Sequence, residues 1–467
     1  MKELGITIGL AIIAALGANL TLATSPIRVT PDAFTEIGEP FFPDFTDPNT
    51  ATTLEVVEFD EDTGAARPFQ VRFVDGRWTI PSHHDYPADA EDRLAQTAAG
   101  VIDIIKDDVR SDNVSDHEAC GVIDPLEDTV TGLTGRGKRV TLRGPNERVL
   151  ADFIVGDEVE NRPGFRFVRI PGQKRVYAAR MDVDLSTRFA DWIETDLLAV
   201  SQADIDQLIV ADYSINEQTG TIDERDTITL TKVDGAWQGD DRIADDRQLE
   251  QAKVTDLLSE ISSLSIVGVR PKPPGVSARL ERTAGGLAVA SADLLSLQSR
   301  GYFFTRDGRL RSNDGELEVG TEPGVRYTLR FGEVLYGSGE VVSAGSDVSD
   351  DADSGPGENR YLFITAEYEG NRAPEPPLPG DTDFEGKPEE DWTDADRTNK
   401  DRQDAHDAWT ERNRAGEALV ARLEARFGAW YYVISSNSFD RVTPARIDLT
   451  EERAEVEDAE ATGSPPL

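Results

Sequence analysis

The stretch "VDGRW" at residues 74–78 returns as "VDGAW" at residues 233–237. In both places Asp-Gly interrupts a run of alternating apolar and polar residues, "FQVRFV" before the first copy and "TITLTKV" before the second. Asp-Gly between alternating runs is the strongest short signal for a β-hairpin, because both turn residues tolerate a positive φ. The sequence therefore predicts two hairpins, each with its tryptophan on the returning strand.

A helical pattern follows each predicted hairpin. We predict that Asp89 and Asp246 are the N-caps of these two helices. The apolar residues recur at the three-and-four spacing of one buried stripe. They are Leu94, Ala98, Val101, Ile102 and Ile105 in the first helix, and Val254, Leu257, Leu258, Ile261 and Leu264 in the second.

The remaining strands also come in the same order twice. "ADFIVGDEV" with Gly156 parallels "YTLRFGEVL" with Gly332, and an alternating strand follows each after a loop. This order indicates a duplicated α+β unit, an antiparallel β-meander packed by one helix. We predict tandem units at residues 51–215 and 216–450. Independent hairpins with similar turn chemistry are the alternative.

The second unit contains an expected insertion at residues 371–428. The first unit closes a tight hairpin at Pro171-Gly172, whereas the corresponding strand near Tyr368 is followed by a Pro-rich spacer and a charged segment. Its second half predicts a helix with a narrow apolar seam, made of Trp409, Leu419, Val420, Leu423 and Phe427. The helix either lies across its own domain or forms a protruding arm that meets a partner.

The N-terminal sequence predicts a membrane anchor. Residues 4–23, "LGITIGLAIIAALGANLTLA", carry no charge and would reach about 30 Å as a helix. We predict an uncleaved single-pass anchor at residues 1–24, followed by a linker at 25–50, with the bulk of the chain outside the cytoplasm. A cleaved signal peptide is the alternative. The acidic tail, residues 451–467, and the Gly/Ser/Asp-rich loop at 337–359 are expected to be unstructured.

Charge and composition exclude several classes of function. The 48 basic and 89 acidic residues give a formal net charge of −41. Such a charge repels a phosphate backbone, so we expect no nucleic-acid partner. The single cysteine, Cys120, excludes an intramolecular disulfide. We predict that Cys120 is a buried thiol, since the only nearby base would be His117.

The most suggestive polar cluster is "SHHDYP", residues 82–87. His83 and His84 on an extended strand would point to opposite faces, which excludes a shared metal without a turn. We interpret the segment as a polar lead into the helix, with Asp85 or Asp89 as its cap. His406 makes no spaced pair with the other histidines.

Other motifs are weak. The glycines at 132, 135 and 137 precede a strand, so they lack the helix N-terminus of a phosphate cradle. The loop acids lack the spacing of a calcium loop; they are Asp347, Asp350, Asp351 and Asp353. No Walker loop, dinucleotide fingerprint, G-x-S-x-G or H-E-x-x-H occurs. We therefore predict no catalytic, cofactor-binding or metal residue, no cofactor and no enzyme activity.

Several phrases resemble one family. They are "DGRWTIPSHHDYPADAEDRLAQTAAGVIDI", "GRGKRVTLRG", "FVRIPGQKRVYAARMDVDLSTRFADWIETDLL" and "GYFFTRDGRLRSNDGELEV". They look like the long membrane-anchored bacterial proteins, especially of planctomycetes, that carry the domain of unknown function 4340. The resemblance runs from about Phe69 to Leu449. It implies no established activity, but it implies a location beside the permease and ATPase of an ABC-type export system similar to gliding-motility transporters, with a second membrane-anchored auxiliary protein.

Two functions follow as hypotheses. The first is an extracytoplasmic accessory or scaffold protein, anchored in the bacterial inner membrane by one helix, which binds proteins of a transport complex. The alternative is a periplasmic ligand-binding or hydrolytic protein that acts on envelope glycan or peptide in a cleft between the two units.

Overall fold

A computed structural model describes residues 36–453, apart from residues 62, 130–131, 195, 217–218, 220, 245, 274–275, 277–290, 306–307, 337–357 and 371–373. The predicted anchor, the first part of the linker, nearly all of the loop at 337–359 and most of the tail lie outside the described residues. Within the part that the structure describes, no helix is both long and apolar enough to cross a membrane.

The fold is built mainly of antiparallel β-sheets with a few helices, which confirms the α+β class. The described strands are β1 Thr53–Asp60, β2 Ala65–Val74, β3 Arg77–Ile80, β4 Tyr86–Pro87, β5 Asp108–Ser111, β6 Lys138–Arg143, β7 Val149–Glu158, β8 Phe165–Arg169, β9 Val176–Arg180, β10 Ile205–Asn216, β11 Thr221–Val233, β12 Ala236–Gly239, β13 Arg247–Leu249, β14 Gly268–Pro271, β15 Tyr302–Phe304, β16 Leu310–Ser312, β17 Glu316–Thr321, β18 Val325–Tyr336, β19 Glu358–Tyr368, β20 Trp430–Ser435 and β21 Thr450–Glu452. The described α-helices are α1 Glu91–Ile102, α2 Gln251–Ser262, α3 Ser291–Gln298, α4 Asp394–Phe427 and α5 Ser436–Val442.

The chain divides into two compact units. The first holds the residues up to Pro68 and Leu94–Leu185, and the second holds Phe69–Arg93 and the residues from Ser186 onward. The sequence suggested a single border between residues 215 and 216, but β10 already joins the second unit's sheet at Ile205. The segment 69–93 groups with the second unit because Phe69 packs on Trp192, with 5.8 Å between the ring centroids.

The first unit is one antiparallel sheet in the order β2-β1-β6-β7-β8-β9-β5, to which β2 contributes its first residues. Alternation along the strands buries one set of apolar side chains, among them Leu54, Val56, Val140, Leu142, Phe153 and Val168. The predicted stripe of α1 is buried at Leu94, Ala98 and Val101. The prediction is wrong for Ile105, which lies beyond the helix end, is 43% exposed and makes a β-bridge to Pro40.

The second unit's main sheet has the order β12-β11-β10-β17-β18-β19-β20-β14. Its core includes Leu208, Leu230, Leu317, Leu329, Phe331, Ile364 and Val433. The predicted stripe of α2 is buried throughout, and Leu264 is buried just beyond the helix end. The sequence periodicity therefore identified this helix correctly.

Both predicted hairpins form. β2 pairs with β3 across a turn in which Asp75 has φ 53° and Gly76 has φ 78°, and β11 pairs with β12 across Asp234 at 52° and Gly235 at 83°. Two consecutive positive φ angles fit a turn that matches the twist of the paired strands. Trp78 and Trp237 stand on the returning strands, as predicted.

The predicted N-caps are wrong. The residue before α1 is Ala90, and the backbone N–H of Asp89 donates to the carbonyl of Trp192 at 2.8 Å. The cap position of α2 belongs to Glu250, whose side chain makes no capping hydrogen bond. Asp246 lies too early because β13 pairs with β21 before the helix begins. A strand contributed by the C-terminal segment thus displaces the start of α2.

Candidate functional site

The "SHHDYP" segment belongs to the second unit and is not a strand at its histidines. Pro81–His83 forms a 3-10 turn, and His84 and Asp85 follow with φ angles of 60° and 57°. His83 is buried and His84 is exposed, so they face opposite ways because the chain turns between them. The expected capping role of Asp85 is not found, since its carboxylate accepts a hydrogen bond from Arg72 at 2.9 Å.

His83 is packed as an aromatic ring. It stacks on Phe189 with 4.4 Å between centroids and meets the edge of Phe69. Ser82 Oγ accepts the backbone N–H of Gln70 at 3.4 Å and lies 3.1 Å from His83 Nδ1. One of these two atoms donates to the other, in a direction that depends on the tautomer of the imidazole, and the other ring nitrogen is Nε2. That atom is buried without a hydrogen-bond partner in the described chain.

The His83 imidazole is neutral at physiological pH. Its pKa is lowered to about 4, mainly by burial and to a smaller extent by the charges of His84 and Arg270. Among the residues that the structure describes, no group of three or more His, Cys, Asp or Glu side chains is arranged to hold a metal ion. The geometry of His83 is that of a packed core residue.

Cys120, in the first unit, is buried as predicted. Burial raises the pKa of its thiol, so the nucleophilic thiolate is disfavoured. The imidazole of His117 donates through Nε2 to the carbonyl of Lys174 at 2.8 Å. In the glycine-rich stretch, a Cβ on Gly135 would lie 2.6 Å from the carbonyl oxygen of Glu118. Glycine therefore permits close backbone packing just before β6.

The largest feature of the second unit outside its sheets is the insertion between β19 and β20. The two strands pair directly, for example Leu362 with Tyr432. We call residues 374–427 the arm, which consists of the Pro-rich spacer, 374–393, and α4. The helix begins with a capping box in which the Asp396 N–H donates to Thr393 Oγ1 and the Thr393 N–H donates to Asp396 Oδ2. Its 34 residues span about 51 Å.

The C-terminal half of α4 packs on β19. At Gly416 a Cβ would lie 2.1 Å from the Tyr368 ring, so only glycine permits this approach of helix to strand. The Tyr368 hydroxyl donates to Asn413 Oδ1 at 2.5 Å. Of the predicted seam, Val420, Leu423 and Phe427 are buried, and Trp409 and Leu419 are half-buried.

The N-terminal half of α4 is supported by its own spacer. Going from the start of the spacer toward its end, Glu375 meets His406 at 3.3 Å, the Gly380 N–H donates to Asn399 at 3.0 Å, and Lys387 binds Asp396 at 2.7 Å. The spacer therefore runs antiparallel along the helix. The Lys387 ammonium and the Thr393 donors hold the pKa of Asp396 at about 2. Phe384, buried beside Trp392, closes this end of the arm.

Lys272 holds the other end of the helix. Its ammonium donates to the carbonyl of Phe427, the last residue of α4, at 3.0 Å and lies 3.7 Å from the centroid of the Phe363 ring. Its backbone N–H donates to Ala429 at 2.7 Å. A cation at a helix C-terminus complements the helix dipole. The pKa of Lys272 is lowered to about 7, mainly by burial and to a smaller extent by the charge of Arg330.

A second cation lies close to the same aromatic core. The Arg300 guanidinium lies 4.8 Å from the centroid of the Tyr431 ring, and it donates to the carbonyl of Ser296 in the last turn of α3. Tyr302 stacks on the same ring at 5.9 Å. This arrangement anchors two helix ends. Sequence reasoning missed it because a lysine between prolines, "PKPP", has no local signal for burial.

Comparisons with known proteins identify one family. Residues 78–282 match the family described as Domain of unknown function (DUF4340), which confirms the resemblance over these residues. No curated protein and no solved structure matches the chain.

Proposed function

We propose that this DUF4340-containing chain is a non-enzymatic accessory scaffold on the extracytoplasmic side of a bacterial cytoplasmic membrane. Residues 1–24 would anchor it as a single-pass helix, and the arm would bind a protein of an ABC-type export complex. The observation that carries the proposal is the arm, a 34-residue helix inserted between two neighbouring strands.

The arm extends beyond what the sheet needs. Its packing on β19 involves the segment from Asn413 to Phe427, whereas the earlier turns are tied to the spacer. The outward face of those turns is charged and exposed. A helix that is polar on its free face is typical of segments that bridge to another protein or stay solvated. Partner binding gives a reason for a helix that extends so far from the sheet.

We also propose that the two sheets arose by duplication. The strand order β1-β6-β7-β8-β9-β5 in the first unit has the same chain progression as β10-β17-β18-β19-β20-β14 in the second. A detail at two strand glycines supports this. A Cβ on Gly156 would lie 2.2 Å from the Cys120 carbonyl oxygen, and one on Gly332 would lie 2.2 Å from that of Arg300. In both cases the next residue donates its N–H to that same carbonyl. A repeated module fits a binding platform.

The test is a variant with a shortened arm that keeps the part of α4 packed on β19. A Cβ on Gly370 would lie 3.6 Å from Asn413 Oδ1, so the two chain ends are already close. Deletion of residues 374–411 keeps the contact of Tyr368 with Asn413 and the buried seam from Gly416 onward. It also keeps the hydrogen bond from Lys272 to the last residue of α4. A thermal unfolding midpoint close to that of wild type would show that the second unit remains folded.

Full-length protein is captured from gently solubilised native membranes, and the co-purifying proteins are identified by mass spectrometry. We expect permease and ATPase subunits with the wild type and their loss with the deletion. Equal recovery of the transport subunits with the wild type and with the deletion variant would show that residues 374–411 do not bind them. Recovery of the chain alone would contradict the scaffold, and the alternative of ligand binding or hydrolysis on envelope glycan or peptide would take its place.

A further inference from the structure

The first hairpin presents an uncovered aromatic surface. Phe73 and Trp78 face each other across β2 and β3, with 5.2 Å between ring centroids. Phe73 is 44% exposed, and Val74 beside it is 39% exposed. Arg77 is also exposed and makes no ion pair with any described residue. We call these four residues the aromatic hairpin, and their combination of apolar rings and one free cation is typical of a docking surface.

The spacer of the arm presents a complementary surface. Four of the six residues at 374–379 are prolines, and the strip they form includes Leu378, which is 61% exposed. Proline fixes its own φ and keeps the preceding residue extended, so the sequence of this proline strip favours a polyproline II conformation. Its two ends are tied to α4, at Glu375 by His406 and at Gly380 by Asn399. Such a preordered strip loses little conformational entropy on binding.

The two surfaces match in chemistry. Polyproline II segments bind to exposed aromatic rings, onto which proline rings and intervening apolar side chains pack. The strip continues into the exposed acids Asp381, Asp383 and Glu385, opposite in sign to Arg77. In a chain of net charge −41, a cation that pairs with no described residue and lies beside an apolar patch is a specific point of attraction for an acidic segment.

We propose that the partner of the aromatic hairpin is the proline strip of a second copy of this chain. The protein therefore self-associates through a contact between two different surfaces, each of which every copy carries. Two such contacts related by a two-fold axis close a dimer, whereas a single contact propagates from copy to copy. This inference is independent of the transport-complex partner proposed above.

The first experiment measures self-association of the purified full-length chain in detergent by sedimentation velocity over a range of concentrations. Phe73→Asp and Leu378→Asp each alter an exposed side chain, one on either surface. Each is expected to raise the dissociation constant of self-association by about tenfold or more. Val149→Asp is the matched control, because Val149 is equally apolar and exposed but lies in neither surface. A wild-type chain that stays monomeric at every concentration would overturn the proposal, as would equal weakening by the control.

Charge reversal tests the pairing directly. Arg77→Asp and Asp381→Arg are each expected to weaken association several-fold, and the double variant is expected to recover part of that loss. Additive losses in the double variant would remove this ion pair from the contact.

Crosslinking decides which surfaces meet. Cys120 is buried, so a new surface cysteine reports without background. Phe73→Cys and Leu378→Cys are made in separate chains, and a disulfide dimer is expected when the two are mixed and oxidised, since a disulfide requires Cα atoms within about 7 Å. Dimers that form equally in either variant alone, or none in the mixture, would contradict the proposed contact. Capture of transport subunits by Leu378→Asp separates a failure of this inference from a failure of the scaffold proposal.

Discussion

The two Asp-Gly hairpins share a turn and differ in what surrounds it. Both have consecutive positive φ angles at the same two positions, and both place tryptophan on the returning strand. Trp78 pairs with Phe73 on an exposed surface, whereas Trp237 is 8% exposed and its backbone is bound on both sides by the amide of Gln251. The local sequence therefore determines the backbone of the turn, and distant residues determine whether its tryptophan is covered.

Arg446 is a distant residue that binds the strands of the second hairpin. Its guanidinium binds Asp226 on β11 at 3.0 Å and Asp240 after β12 at 2.5 Å, and it also donates to the carbonyl of Thr227. The hydrogen bonds from Arg446 lower the pKa of Asp226. Burial raises the pKa of Asp240, but the hydrogen bonds from Arg446 and from the backbone N–H groups of Thr229 and Arg242, together with the charge of Arg446, lower it overall. The C-terminal segment thus fastens the second hairpin. In the part of the chain that the structure describes, the ion pair at the first hairpin is the exposed one of Arg72 with Asp85.

The largest effect is expected from removing the two tryptophans. Trp237→Ala leaves a cavity in packed surroundings and should destabilise the protein by about 3–5 kcal/mol, whereas Trp78→Ala should cost roughly 1 kcal/mol because solvent already reaches that ring. Urea denaturation of both variants measures the difference. Equal losses of unfolding free energy would mean that the two tryptophans are equally covered in solution and that the two hairpins do not differ in this respect.

The next effect concerns the ion pairs. Arg446→Met takes the Arg446 cation away from both carboxylates and leaves Asp226 with the exposed Arg242 at 3.6 Å, and a loss of about 2–3 kcal/mol is expected. Arg72→Met removes an exposed pair and should cost no more than about 0.5 kcal/mol. Because the folded-state pKa values of Asp226 and Asp240 are lowered, the Arg446 contribution should be present at neutral pH and disappear in strong acid. A loss of equal size for Arg72→Met would show that the two pairs do not differ as their exposure suggests.

A pH series sharpens the contrast in the segments that follow the hairpins. The folded-state pKa of His83 is about 4 and the ordinary value is 6.5, so the unfolded chain binds the extra proton between these values. Stability should therefore fall as pH drops from 6.5 to 4, by roughly 2 kcal/mol from this residue. His83→Phe keeps the stack on Phe189 and should flatten the curve in that window. His84→Asn should flatten the curve less, although burial also lowers the pKa of His84 and its charge lowers that of His83, and an equal flattening by it would contradict the assignment.

The smallest effect should be the same in both hairpins. Gly76 and Gly235 have φ angles of 78° and 83°, and a Cβ on either would meet no atom within 4 Å. Gly76→Ala and Gly235→Ala should therefore each cost only the backbone strain, about 1 kcal/mol. Unequal costs, read from the denaturation midpoints, would show that the two turns are not equivalent.

Local patterns predicted local structure well. The Asp-Gly turns, the stripe of α2 and the seam of α4 follow from turn chemistry and from the 3.6-residue period, which act over a few residues. The position of the insertion between two strands also followed, because the strand near Tyr368 lacked its immediate partner. The predicted α+β class depended on these elements alone.

Long-range packing accounts for the errors. The predicted cap at Asp246 failed because β13 pairs with β21, as in the hydrogen bond from Arg247 to Thr450, separated by 203 residues. The burial of Lys272 depends on Phe427 and Phe363, which are distant in sequence, so no pattern near Lys272 predicts it. The segment 69–93 packs with Trp192 and groups with the second unit, whereas its sequence neighbours belong to the first. The border between the two units therefore differs from the predicted one. The anchor at 1–24 stays a prediction, since it lies outside the described residues.

The close approach of α4 to β19 has one more consequence. Gly370 and Asn413 lie side by side, held by the Tyr368 hydroxyl, so whatever connects them closes a loop whose entropy grows only slowly with its length. Domains tolerate foreign insertions where two chain ends meet at the surface in this way. This position is therefore a natural graft point, at which a fluorescent protein or an affinity module could replace residues 374–411 while the sheet on either side keeps its register.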